Sequence, residues 1–266
     1  MRKLPMRIKK ILKPFIPHFI LKNYTSHRNN IEKFSFDINL DIKRDIIEKY
    51  KYHGDLLDIF VGNKGSMVHK WHHYIPIYER YFSPFRGKKI RFLEIGVSEG
   101  GSLQMWRKYF GEEAIIFGID INPECIKFNG IDGQVRIGSQ SDEEFLESIV
   151  VEMGGIDIVL DDGSHNMTLN RATLEILFPM LSQGGIYMVE DLHTSFWHEF
   201  EGGYYSKKNF FKYLNGIVND MHHWYHKAGV KNLKINSNCT GIHLHDSIAV
   251  LEKGTSFPPV HSKVQN

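Results

Sequence analysis

The chain has 266 residues, with 42% hydrophobic and 13% aromatic content, 33 basic and 31 acidic side chains, and a formal net charge of +2. That supplies enough apolar material for one sizeable α/β core with additions. Two cysteines exclude a disulfide framework or clustered thiolate site and suit a reducing cytosol, and no apolar run approaches the ~20 residues that span a bilayer.

The charge is uneven. Eight of the basic residues (Arg2, Lys3, Arg7, Lys9, Lys10, Lys13, Lys22, Arg28) and no acid fall in residues 1–31, so the remainder is net negative by six. Ile8, Ile11, Leu12, Phe15, Ile16, Phe19 and Ile20 interleave with these bases, while Pro14 and Pro17 interrupt any helix. Two readings stand: an arm on the inner face of an anionic membrane, or an arm packed on the domain or a second subunit, which would make a homo-oligomer. A signal peptide is not expected, because Phe15 to Leu21 contains His18 and lacks a small-residue cleavage site. Nucleic acid is not an expected partner either, since the acidic remainder repels phosphate.

Residues 41–82 read as helical, interrupted at Gly62-Asn63-Lys64-Gly65-Ser66. From Lys89 onward short apolar runs alternate with helical patterns. Strands are expected at Ile90–Ile95, Ile115–Ile119, Gln134–Ile137, Ile156–Leu160 and Ile186–Val189. Leu169, Ala172, Ile176, Leu177 and Met180 fall at helical spacing on what would be one buried face. Ile242–His245 and Ser247–Leu251 flank Asp246 as a hairpin, and residues 254–266 read as a loose tail. This alternation predicts a doubly wound, mostly parallel seven-stranded α/β sheet with an N-terminal helical extension. The expected division is 1–52 for arm and extension, 53–253 for the main domain, and 254–266 for the tail.

After the first strand, Glu94-Ile95-Gly96-Val97-Ser98-Glu99-Gly100-Gly101-Ser102 opens a helix. Glycines here let backbone pass close beneath a ligand, and a helix start offers free N–H groups. The spacing is not the G-x-G-x-x-G of dinucleotide binders, and an acid at Glu94 suits a cationic sulfonium or ammonium ligand better than a pyrophosphate. The second strand ends at Asp120, placed to accept from a ribose diol. The third leads to Asp142, placed to receive an adenine amino group. Either acid alone is more commonly a helix cap or turn residue, but their joint position at successive strand ends shifts the balance toward the cofactor.

The fourth strand ends in Asp161-Asp162-Gly163-Ser164-His165 and the fifth in Glu190-Asp191. Parallel sheets bind ligands at the carboxyl ends of their strands, so two neighbouring strands would bring these carboxylates and an imidazole to one rim. That is the composition of a hard-cation site with a general base beside it. Strand alternation turns Asp161 away from Asp162.

With these motifs the chain resembles class I S-adenosylmethionine-dependent methyltransferases. More narrowly, it is similar to the metal-dependent sugar O-methyltransferases of macrolide biosynthesis, on Leu93-Glu94-Ile95-Gly96, Asp161-Asp162-Gly163-Ser164-His165 and Glu190-Asp191-Leu192-His193-Thr194-Ser195-Phe196-Trp197. Asn63-Lys64-Gly65-Ser66 through Tyr74 and Tyr78 looks like that family's pre-domain element. The resemblance covers residues 60–252. It implies Mg2+ held by Asp162, Glu190 and Asp191, with His165 as catalytic base. S-adenosylmethionine would be held by Glu94, Gly96, Ser98, Gly100, Ser102, Asp120, Asp142 and Asp161. The acceptor would be a sugar hydroxyl, here expected on a bacterial surface glycan. His193 and Trp197 are candidates for the acceptor side, and Lys64 for the cofactor carboxylate.

Two histidine pairs, His69/His73 and His222/His226, have i, i+4 spacing, but neither has the glutamate of H-E-x-x-H nor an evident third ligand, so zinc is not expected. The Asn-x-Thr sequons at Asn23, Asn166 and Asn238 read as chance matches.

Overall fold

The computed structural model describes residues 30–235 and 238–265; the basic arm, apart from Asn30 and Ile31, lies outside them. The five apolar runs form parallel strands β1 (Arg91–Ile95), β2 (Ile115–Asp120), β3 (Gln134–Ile137), β4 (Ile156–Asp161) and β5 (Leu181–Val189). The hairpin β6 (Cys239–His245) and β7 (Ile248–Lys253) adds two antiparallel strands, giving the order β3-β2-β1-β4-β5-β7-β6. The order reverses beside β1, which lies between β2 and β4. Such a switch point opens a crevice beyond the carboxyl ends of the strands.

These strands are apolar almost throughout because helices cover both faces. On one face α1 (Ile42–Tyr50), α2 (Asp55–Val61), α3 (Tyr74–Phe82) and α4 (Gly101–Phe110) pack Ile46, Leu56, Tyr78, Phe82 and Trp106 over Phe92, Ile158, Leu160 and Met188. On the other α5 (Glu143–Met153), α6 (Met167–Leu177) and α7 (Phe210–Met221) pack Leu146, Leu174, Leu177 and Ile217 over Leu93, Phe117, Val159 and Tyr187. Among the described residues no helix is long and apolar enough to cross a membrane.

Three local expectations change. The break between α2 and α3 runs from residue 62 to 73 rather than ending at Ser66, and this longer segment lies against α4: a Cβ on Gly101 would stand 2.3 Å from the Met67 carbonyl oxygen. β5 begins at Leu181 and passes through Gly184 (φ +79°), where a register shift against β4 absorbs the glycine pair. In α6 the buried face is Met167, Asn170, Thr173, Leu174 and Leu177, whereas Leu169, Ala172 and Ile176 are half-buried. Hydropathy missed that face because two of its members are polar. Thr173 is tolerated inside because its hydroxyl donates to the Gln140 carbonyl at 2.9 Å and accepts from Gln140 Nε2 at 2.9 Å.

Asn166 caps α6, its side chain accepting from Thr168 N and Leu169 N, and it is 6% exposed. That position is a structural cap, in keeping with a chance sequon. The i, i+4 histidines fall on irregular backbone. His69 and His73 lie in the segment before α3, and His222 and His226 follow α7, each with a ring nitrogen near a backbone carbonyl of that helix.

Candidate active site

Strand register brings the motifs to one level. Ile95 pairs with Ile119 on one side and Asp161 on the other, and Asp161 pairs with Val189. The next residues continue the ladder: Gly96 N donates to Ile119 O, Asp162 N to Ile95 O, and Glu190 N to Asp161 O, at 2.8–3.0 Å. The glycine turn and both acid pairs therefore leave the sheet side by side. Gly96 is required there: its φ is +97°, and a Cβ would stand 2.2 Å from the Asp162 carbonyl oxygen.

Around the turn, Asp120 Oδ2 accepts from Val97 N (3.0 Å) and Ser98 N (2.9 Å), and Oδ1 from Asn122 N (2.8 Å). Asp120 thus shapes the loop that its strand end faces. Ser98 and Gly100 take positive φ. Glu94 is wholly buried on the α4 side, accepting from Ser102 Oγ (2.8 Å) and Trp106 Nε1 (3.1 Å). Burial lifts its pKa to about 7 against the opposing pull of Lys70, Ser102 and Trp106. Glu94 and Ser102 support the turn from below. Asp142 caps α5 through Phe145 N at 3.1 Å.

Asp161, on the face opposite to Glu94, is buried. It accepts from Tyr187 OH at 2.9 Å and Gln140 Nε2 at 3.4 Å, and burial raises its pKa to about 7. Gln140 carries no signal in hydropathy or motif, yet its Oε1 also accepts from Ser164 N at 2.7 Å. It fixes the turn that presents His165.

Asp162 and Asp191 meet at His165. The Nε2 of His165 lies 3.9 Å from Asp162 Oδ1 and 3.7 Å from Asp191 Oδ2, and the donor atoms of the three residues fall within 4.8 Å of one another. His165 (φ +55°) and Asp191 (φ +54°) both take left-handed backbone, which non-glycine residues rarely adopt and which concentrates at functional sites. Tyr74 OH donates to Asp191 Oδ1 at 2.8 Å and Tyr78 OH to Glu190 Oε1 at 2.6 Å, so the pre-domain element orients two strand-end acids. Burial raises both phenols far above their usual range, keeping them neutral donors.

Glu190 turns to a residue that sequence reasoning missed. Lys70, from the segment before α3, places Nζ 3.0 Å from Glu190 Oε2, 3.2 Å from Oε1, and 2.5 Å from Asp162 Oδ2. Burial alone would lower this ammonium, but Asp162, Glu190 and Glu94 outweigh it and hold the lysine charged. Burial and the Asp162 charge push Glu190 upward while Lys70 opposes them. The one available signal was electrostatic: three acids at buried strand ends require a cation.

On the outer side, His193 Nδ1 lies 2.6 Å from Ser247 Oγ, and the rings of Trp71 and Trp197 stand 5.5 and 4.7 Å from its imidazole. Lys64 is exposed. An open hollow of about 680 Å3 lies at the opposite ends of the strands, lined by Arg91, Ile115, Gly154 and Asp157, and contains none of the converging groups. Donor chemistry rather than cavity size marks this site. Two carboxylate oxygens facing one point, with others already held by phenols and an ammonium, fit a hard divalent cation that keeps further positions open.

Comparison with known proteins agrees with this architecture. Residues 93–192 match the Methyltransf_24 model, a methyltransferase domain. The chain is 35% identical over 198 residues (69% of this chain, 51% of the relative) to the 8-demethyl-8-alpha-L-rhamnosyl tetracenomycin-C 2'-O-methyltransferase of Streptomyces olivaceus. It is 32% identical over 199 residues (69% and 48%) to the mycinamicin VI 2''-O-methyltransferase of Micromonospora griseorubida. A solved MycE methyltransferase from the mycinamycin biosynthetic pathway, in complex with Mg, SAH and mycinamycin VI, superposes with a TM-score of 0.68 at 30% identity, covering 76% of this chain and 54% of that one. The chain spans about half the length of the curated relatives it matches. By sheet order, motif and relationship, the chain carries a methyltransferase domain and resembles the class I S-adenosylmethionine-dependent methyltransferases, and within them the macrolide-sugar O-methyltransferases.

Proposed function

We propose that the chain is an S-adenosylmethionine- and Mg2+-dependent O-methyltransferase acting on a sugar hydroxyl, with His165 as general base. The observation that carries this reading is the convergence of Asp162, Asp191 and His165 beside the glycine turn. The relatives named as methyltransferases of rhamnosyl and mycinamicin substrates support a sugar acceptor, and the MycE complex with Mg and SAH supports the cofactor pair. A bacterial surface glycan as acceptor rests on sequence alone, on the basic and apolar residues 1–31.

When bound, S-adenosylmethionine supplies the methyl group and Mg2+ supplies Lewis acidity toward a sugar oxygen. Asp162 Oδ1 and Asp191 Oδ2 would hold the metal, whereas Glu190, the third expected ligand, is engaged by Lys70 and Tyr78. The loop of Gly96 to Gly100, fastened by Asp120, would seat the cofactor. His165 Nε2, 3.9 Å from Asp162 Oδ1 and 3.7 Å from Asp191 Oδ2, would take the proton of the acceptor hydroxyl as its oxygen bonds the methyl carbon and the methyl–sulfur bond breaks, releasing S-adenosylhomocysteine. Trp71, His193 and Trp197 offer aromatic surface for the acceptor ring.

Calorimetry with S-adenosylmethionine, with and without Mg2+, tests the cofactor assignment; no heat of binding in either condition would remove it. His165→Ala should lower methyl transfer to a panel of rhamnosyl glycosides by roughly 10²–10⁴-fold while leaving cofactor affinity unchanged. A metal-independent reaction is the second reading, favoured by Lys70, which already pairs with Asp162 and Glu190. Turnover unaffected by EDTA would decide for it.

A further inference from the structure

The proposed reaction needs Asp162, Glu190 and Asp191 at one rim, where carboxylates shielded from water repel one another. Lys70 stands among them with its side chain 2% exposed. Its ammonium spans Asp162 Oδ2 and both oxygens of Glu190, with the Tyr78 ring 5.8 Å away. Asp162 is shared: Oδ2 faces the lysine and Oδ1 faces His165. The lysine is not a swinging surface side chain. Its segment is pinned against the start of α4, where Gly101 leaves room for Met67, and it runs directly into α3, whose Tyr74 and Tyr78 grip Asp191 and Glu190.

We propose that Lys70 is a built-in counter-ion of the metal centre, a positioning residue that keeps Asp162 and Glu190 together without a metal and sets how tightly the site takes a divalent cation. The inference rests on the metal reading above. One fixed positive charge on a shared carboxylate lowers the pull on a second cation, so the site would exchange its metal readily instead of trapping it. Removing that charge should tighten metal binding and at the same time loosen the metal-free protein. A lysine that merely filled space would do only the second.

The test compares the full chain with Lys70→Met, Lys70→Gln and Lys70→Arg, using Mn2+ calorimetry, the Mn2+ paramagnetic resonance signal, and thermal unfolding in EDTA and in Mn2+. Lys70→Met and Lys70→Gln should bind Mn2+ about tenfold or more tightly, melt lower in EDTA, and gain more from Mn2+ than the native chain does. Lys70→Arg keeps the charge and should stay within about threefold of native affinity. Should Lys70→Met not fold, Lys70→Gln reports the same quantity with a smaller packing change. Equal or weaker Mn2+ affinity in the neutral variants, with normal binding by the native chain, overturns the counter-ion alone. No Mn2+ binding by the native chain or by any variant overturns the metal reading and the counter-ion together.

Discussion

Gly96 and Glu94 show how differently neighbouring residues of one motif are used. Gly96 holds positive φ and lets the β1 turn touch the Asp162 carbonyl, so it couples the cofactor turn to the acidic rim. Gly96→Ala should cost about 2–4 kcal/mol of stability and weaken S-adenosylhomocysteine binding, readable by urea unfolding and calorimetry; native values for both would refute the coupling. Glu94, two residues earlier, faces inward to Ser102 and Trp106. The motif told us that an acid and a serine belong near the turn, but not that they satisfy each other. Tyr78→Phe probes the same economy, because it leaves buried Glu190 short of its 2.6 Å donor. A loss of about 1–3 kcal/mol is expected, and an unchanged denaturation midpoint would show that the phenol is dispensable.

At the level of elements, apolar runs and glycines located every strand of the sheet, whereas boundaries and faces depended on partners. α6 buries Thr173 because Gln140, from beyond β3, meets its hydroxyl. Local hydropathy cannot register such an exchange of hydrogen bonds. α7 shows the same principle at its end. Asp220 is buried and accepts from Lys231 N at 3.0 Å, Asn232 N at 2.6 Å and Asn232 Nδ2 at 2.7 Å, closing the histidine-rich connection on the helix. Burial pushes this carboxyl upward, but the donors from Asn232 and Lys231 outweigh it and hold its pKa below the ordinary value. A depressed folded pKa means stabilisation that is complete above the unfolded value of about 3.9 and is lost as the pH falls through the folded one. Asp220→Asn should therefore destabilise by about 1–3 kcal/mol near neutral pH, and the gap from native should close in acid below that range. Urea titrations at both pH values would show it; a gap independent of pH would mean the charge is irrelevant.

For the whole molecule, a cofactor that binds only the folded chain must stabilise it by mass action. S-adenosylhomocysteine at about 100 times its Kd should add about 2.7 kcal/mol and raise Tm by roughly 5–10 °C; a flat thermal-shift titration would count against the site. Composition and periodicity by themselves determined the alternating α/β architecture, the parallel sheet, and the strand ends that carry Asp120, Asp162, Glu190 and Asp191, because these follow from apolar runs a few residues long. Only the tertiary structure decided which of those acids face one another and what neutralises them. Lys70 reaches Asp162 across 92 residues of sequence and Glu190 across 120, and Tyr74 reaches Asp191 across 117. Contacts of that span come from strand register and the packing of α3 on the sheet, and no local pattern of side chains contains them.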